Sequence, residues 1–186
     1  MSTENLWAPW RMDYLCQLES SGDLDAPELG SETSSSTCFI CDAVAGKGDS
    51  EHARQRLVLQ NDDRGVILLN RYPYTNGHLL IAPIAHVMEL SDLESIQRTG
   101  LIDLVALSEQ LLRVGLNPQG LNVGINIGRC AGAGLPGHLH VHVVPRWGGD
   151  TNFMQVTGQV RVIPQALEES FSHLSETLRK LIDVLH

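Results

Sequence analysis

The most constraining stretch of the chain is His138-Leu139-His140-Val141-His142-Val143-Val144-Pro145-Arg146, where three imidazoles stand at alternate positions in an otherwise apolar run. Successive side chains of a β-strand point to opposite faces. The alternation therefore predicts a strand with His138, His140 and His142 on one face and Leu139, Val141 and Val143 on the other. Such a strand buries its aliphatic side and keeps its imidazole side for chemistry. That face suits a metal site, a nucleophile or both.

The rest of the chain supplies a sheet for this strand. Arg56-Leu57-Val58-Leu59-Gln60 and Gly65-Val66-Ile67-Leu68-Leu69 are short apolar runs separated by the turn-formers Asn61-Asp62-Asp63-Arg64, which predicts a hairpin. A strand at His78-Leu79-Leu80-Ile81-Ala82-Pro83 follows a turn-rich stretch, and Gly120 to Ile127 is another. A short helical turn is expected at Asp42 to Ala45, stopped by Gly46. Ser91-Asp92-Leu93-Glu94 has the form of a capping box, and the leucines that follow recur at helical spacing until Gly115 and Asn117-Pro118. Pro164 to Leu185 reads as a second amphipathic helix. The expectation is an α+β domain with a mostly antiparallel sheet and segregated helices.

At 186 residues the chain has the length of a single domain spanning 1–186, with residues 19–37, rich in Ser, Gly, Asp and Glu, as a flexible connector. Trp7 and Trp10 read as anchors for the N-terminal segment, on its own subunit or on a partner. A net charge of −9 argues against a nucleic-acid polymer as partner, because phosphate backbones call for a basic surface. Small anionic ligands remain open, since glycine-rich backbone can bind phosphate on an acidic protein. The sequence has neither a membrane-spanning run nor a signal-peptide pattern, so a cytoplasmic location is expected.

Cys38-x-x-Cys41 is half of a tetrahedral zinc site, with His86 and His138 available to complete it. Two buried apolar cysteines, or a redox pair, are the competing readings. The histidine strand itself could be an all-metal site. Its surroundings argue otherwise: glycines, Asn126 and Arg146, with no acid between Glu109 and Asp150. Neutral imidazole attacks phosphorus when its other nitrogen donates to a fixed acceptor.

Several segments together resemble the histidine triad family, specifically its Fhit-like and prokaryotic diadenosine tetraphosphate hydrolase and phosphorylase members. They are the His-x-His-x-His run, Asn70-Arg71-Tyr72-Pro73 with Gly77-His78-Leu79-Leu80-Ile81, Leu6 to Met12, the Cys-x-x-Cys, and Ala131 to Gly134 through Pro145 to Met154. The resemblance spans nearly the whole chain outside 19–37. It implies an HIT-like fold with about five antiparallel strands and a two-fold homodimer. It also implies cleavage of dinucleoside polyphosphates at the α-phosphate through a nucleotidyl-histidine, with water or phosphate as acceptor.

By position, the resemblance implies His140 as nucleophile and His142 as its orienter and phosphate contact. Asn70 matches a ribose-contacting asparagine, and Asn126 stands where relatives carry a phosphate-contacting glutamine, a departure. Gly132, Ala133 and Gly134 would offer backbone N–H groups to phosphate in place of a missing hydroxyl. Structural zinc on Cys38, Cys41, His86 and His138 is implied, with no organic cofactor. A purine nucleoside phosphoramidase, or a nucleotide sensor without turnover, are the alternative functions.

Overall fold

The computed structural model describes residues 38–150 and 165–185. The expected connector 19–37, the tryptophan anchors and the motif end at Thr151 to Met154 lie outside the described residues.

Two short helices come first, α1 over Phe39–Ala45 and α2 over Ser50–Arg56. The second was not anticipated from the sequence. Asp49 caps it, its carboxylate accepting from the backbone N–H groups of Glu51 and His52 at 2.9 and 3.1 Å. Leu57 then turns left-handed, at φ 59°, so the first strand begins at Val58 rather than at Arg56. β1 (Val58–Asp62) and β2 (Gly65–Leu69) form the expected hairpin. Gly65 is required there, because a Cβ would lie 2.2 Å from the Ala82 carbonyl oxygen at a φ of +147°.

β3 (Leu79–Ala82) pairs with β2, and the long helix α3 (Ser95–Leu116) follows a single 3₁₀ turn at Leu90–Asp92. The capping box expected at Ser91 and Glu94 is displaced by three residues. Glu94 is the N-cap of α3, with Gln97 as its reciprocal partner, because the chain at Ser91 is still in the 3₁₀ turn. Asn117 closes the helix in the left-handed conformation at φ 48°. β4 (Gly120–Ile125), β5 (Val141–Arg146) and α4 (Leu167–Leu185) complete the described fold.

The five strands lie in the order β1-β2-β3-β5-β4, all neighbours antiparallel. One face packs on the helices. Ile67, Leu69, Leu79, Ile81, Val141 and Val143 meet Leu101, Leu104, Leu111 and Leu112 of α3 and Leu174 and Leu178 of α4 in the main core. On the other face, among the described residues, Cys38, Ile40 and Ala43 seal Val58, Val66, Leu68, Leu80 and Ala82. The β5 and β4 half of that face is left for the histidines. Among the described residues no helix is long and apolar enough to cross a membrane.

A candidate nucleotide site built on four histidines

The strand expected through all three histidines is shorter than the alternation predicts. Strand β5 starts at Val141, so His138 and His140 precede the strand and only His142 lies within it. Leu139 still enters the core with Val141 and Val143, and its N–H donates to the Val87 carbonyl at 2.6 Å. The pairing with the segment after β3, rather than with β4, breaks the ladder here and turns His138 away to other partners.

Those partners are Cys38, Cys41 and His86, and the four ligand atoms lie within 4.8 Å of one another. Nδ1 of His138 is 3.4 Å from each Sγ, and Nδ1 of His86 is 3.1 Å from Cys41 Sγ. Sulfur and nitrogen ligands of a tetrahedral zinc stand roughly 3.5 Å apart, so the donor set and its spacing fit that metal. The tautomer fits as well. His138 Nε2–H donates to the Pro83 carbonyl at 3.0 Å, which leaves the Nδ1 lone pair facing the sulfurs. Burial holds His138 down to about 4, against protonation, and pushes the Cys41 thiol up to about 11, with Cys38 reinforcing the effect. A coordinated cation reverses the thiol preference, because a bound thiol is deprotonated.

His140 is 5 % exposed, and its Nδ1–H donates to the His138 carbonyl at 2.8 Å. A carbonyl only accepts, so the ring's lone pair resides on Nε2. Burial lowers the affinity of this ring for a second proton. His142 follows at 5.0 Å between ring centroids, in an edge-on arrangement.

A fourth histidine fixes His142. His78 is fully buried, and its Nδ1 accepts from the Tyr74 backbone N–H at 3.1 Å and from the Asn70 carboxamide at 3.2 Å. Its proton is therefore on Nε2, and it donates to His142 Nδ1 at 2.9 Å. In consequence the proton of neutral His142 is on Nε2. The two neighbouring rings present opposite functions at Nε2, a lone pair on His140 and an N–H on His142. Gly77 places His78, since at its φ of +76° any side-chain-bearing residue would be strained, and the Leu116 methyl would have to move from a Cβ there. His78 entered the sequence reading only as the first residue of a strand and as part of the Gly-His motif. Its signal was that motif; its partner is 64 residues away.

The other expected site residues are placed as follows. Asn70 directly follows β2 and braces His78, while its Oδ1 accepts from the Tyr72 N–H at 3.0 Å. It also lines an apolar cavity of about 220 Å³ with Phe39, Leu68 and Leu80. Asn126 donates to the Gly132 carbonyl at 3.3 Å. Of the three loop amides, Gly132 N–H donates to the Arg129 carbonyl and Ala133 N–H to that of Gly128; Gly134 N–H has no such bond among the described residues. Beside His142 a larger cavity of about 480 Å³ runs toward Asn122, Arg146 and Asp150.

A family model described as the HIT domain matches residues 51–149. The chain belongs to the HIT family. Among HIT relatives, the AP-4-A phosphorylase of Mycobacterium tuberculosis (strain ATCC 25618 / H37Rv) is 38% identical over 170 residues, covering 90% of this chain and 80% of that protein. A Zn-bound histidine triad family protein from Mycobacterium smegmatis superposes with a TM-score of 0.63 at 29% identity, over 81% of this chain and 99% of that one. A histidine triad nucleotide-binding protein from Sulfolobus tokodaii strain7 shares the fold, with a TM-score of 0.61 at 24% identity over 80% and 93% of the two chains. The HIT family, the HIT fold and the α+β class are thus established for this chain.

Proposed function

We propose that this protein cleaves dinucleoside polyphosphates of the diadenosine tetraphosphate type at the α-phosphorus, in two displacements through a nucleotidyl group on His140, with inorganic phosphate as the acceptor. The observation that carries the reading is the pair of opposed tautomers at His140 and His142. Nε2 of His140 attacks the α-phosphorus; an N–P bond forms, the P–O bond to the bridging oxygen breaks, and its electron pair leaves with the nucleoside triphosphate. The His140 ring gains positive charge, which its Nδ1–H bond to the His138 carbonyl stabilises. His142 Nε2–H and the Gly134 amide donate to the phosphoryl oxygens as charge builds on them.

A phosphate oxygen then attacks the same phosphorus, the N–P bond breaks, and its pair returns to Nε2. The 38% identity to an AP-4-A phosphorylase favours phosphate over water as this second nucleophile. The apolar cavity of Phe39, Leu68 and Leu80, with Asn70 at its edge, takes the nucleoside that stays on the enzyme. Zinc would be held by Cys38, Cys41, His86 and His138, where it fixes the position of the chain entering β5 and takes no part in the chemistry. The chain acts as one domain and as a homodimer in this reading.

Chromatography of the products from diadenosine tetraphosphate tests it. With phosphate present the expected products are adenosine diphosphate and triphosphate. Adenosine monophosphate and triphosphate regardless of phosphate assign a hydrolase, and no cleavage by the zinc-loaded protein overturns the reading.

A further inference from the structure

Directly paired residues form a row across one face of the sheet: Leu68 on β2, Leu80 on β3, His142 on β5 and Gly124 on β4. Directly opposed residues share a face, so His142 has an apolar cavity on its β3 side and an open trough on its β4 side. Two residues further along, Asn122 lies opposite Val144, and Gly120 opposite Arg146. Gly124 lines the trough beside His142, and a Cβ there would meet nothing within 4 Å among the described residues.

The trough's chemistry selects its occupant. Among the described residues the charged side chains that line it are Arg146 and Asp150, and they are closed on each other, Nε to Oδ2 at 2.5 Å and Nη2 to Oδ1 at 2.8 Å. Asp150's side chain is only 11% exposed, and Arg146 spends its remaining nitrogen on Asn122 Oδ1 at 2.9 Å. A phosphate arriving here meets a cation that is already neutralised. A nucleoside meets suitable partners: the Tyr74 ring, 47% exposed, and the NH₂ of Asn122, which has no partner among the described residues. The guanidinium plane of Arg146 adds a surface on which a base can stack. From His142 to Arg146 is four strand residues, about 13 Å at 3.3 Å per residue, which leaves room for a polyphosphate tail between the reacting phosphorus and a second nucleoside.

We infer that this trough binds the second nucleoside of the substrate, the one that departs with the leaving group, and that Asn122 is a specificity-determining residue for it. The inference rests on the nucleotidyl-transfer reading above. It makes the enzyme selective for dinucleoside over mononucleoside polyphosphates.

The test compares kcat/KM for diadenosine tetraphosphate with that for adenosine tetraphosphate, which has the same reacting end and phosphate chain but no second nucleoside. Wild-type enzyme is expected to prefer the dinucleotide, and Asn122→Ala to lower that preference about tenfold. Gly124→Val is the second variant, since its Cβ enters open space and fills the trough without asking the fold to move. It is expected to lower the same ratio. A ratio near one in the wild type, or a ratio unchanged in whichever variants fold, overturns the inference while leaving nucleotidyl transfer standing. Cleavage of neither substrate overturns both.

Discussion

His78, just before β3, donates its Nε2–H to Nδ1 of His142 on β5 at 2.9 Å, and that bond decides which nitrogen of His142 carries its proton. The direction is set by backbone: the Tyr74 N–H points at His78 Nδ1, which can only accept it. Replacing His78 by Phe keeps the bulk and removes the relay. The expected loss in kcat/KM is about 10²-fold, the scale of one misassigned proton donor, with kcat falling more than KM rises. His78→Gln, whose amide accepts at one atom and donates at another, is expected to recover part of the loss. Equal activity of His78→Phe and wild type in steady-state assays would show that His142 is oriented by something else.

Protonation of His142 destroys the same relay, and the fold resists it. Burial, with the neighbouring His140 adding repulsion, pulls His142 down from 6.5 to about 4. The acid limb of kcat/KM is therefore expected well below pH 6.5. The sign for stability follows from linkage: the unfolded chain binds the proton more readily, so this contribution is fully present above about pH 6.5 and is lost as pH falls through about 4. Thermal denaturation from pH 7.5 to 4 should show a steeper decline for wild type than for His142→Gln. Parallel curves, or an activity limb at 6.5, contradict the burial account.

Metal analysis addresses the four-donor cluster. The purified protein is expected to carry one zinc per chain, and Cys38→Ser to lose it, because that thiol is buried and faces His138 Nδ1 at 3.4 Å. Chelation of the wild type should lower its melting temperature by several degrees, since binding to a site absent from the unfolded chain stabilises the fold. A zinc-free wild type whose melting temperature ignores both chelator and added zinc is the opposing result.

How much of this was legible in the sequence depends on how local each interaction is. Alternation placed Leu139, Val141 and Val143 in the core and the histidines outside it, and the Cys-x-x-Cys with His86 and His138 named the cluster that the structure assembles. The hairpin of β1 and β2 and both long helices were readable from turn residues and periodicity. What was hidden came from partners distant in the chain. The strand begins at Val141 because Leu139 bonds to Val87, and no run of residues announces that bond. The Gly77-His78 motif marked His78, but its bond to His142, 64 residues away, is not written in any local pattern. Helix α2 has no buried residue, so it lacks the apolar stripe that betrays a helix, and only its Asp49 cap marked it.

In the proposed mechanism the nucleotidyl group passes through His140 in two displacements. The most direct test is the stereochemical course at phosphorus, read by NMR from a substrate made chiral at the α-phosphorus with sulfur and oxygen isotopes. Each in-line displacement inverts the centre. Net retention is the expected result, and net inversion, the mark of a single direct displacement by the acceptor, would contradict the account.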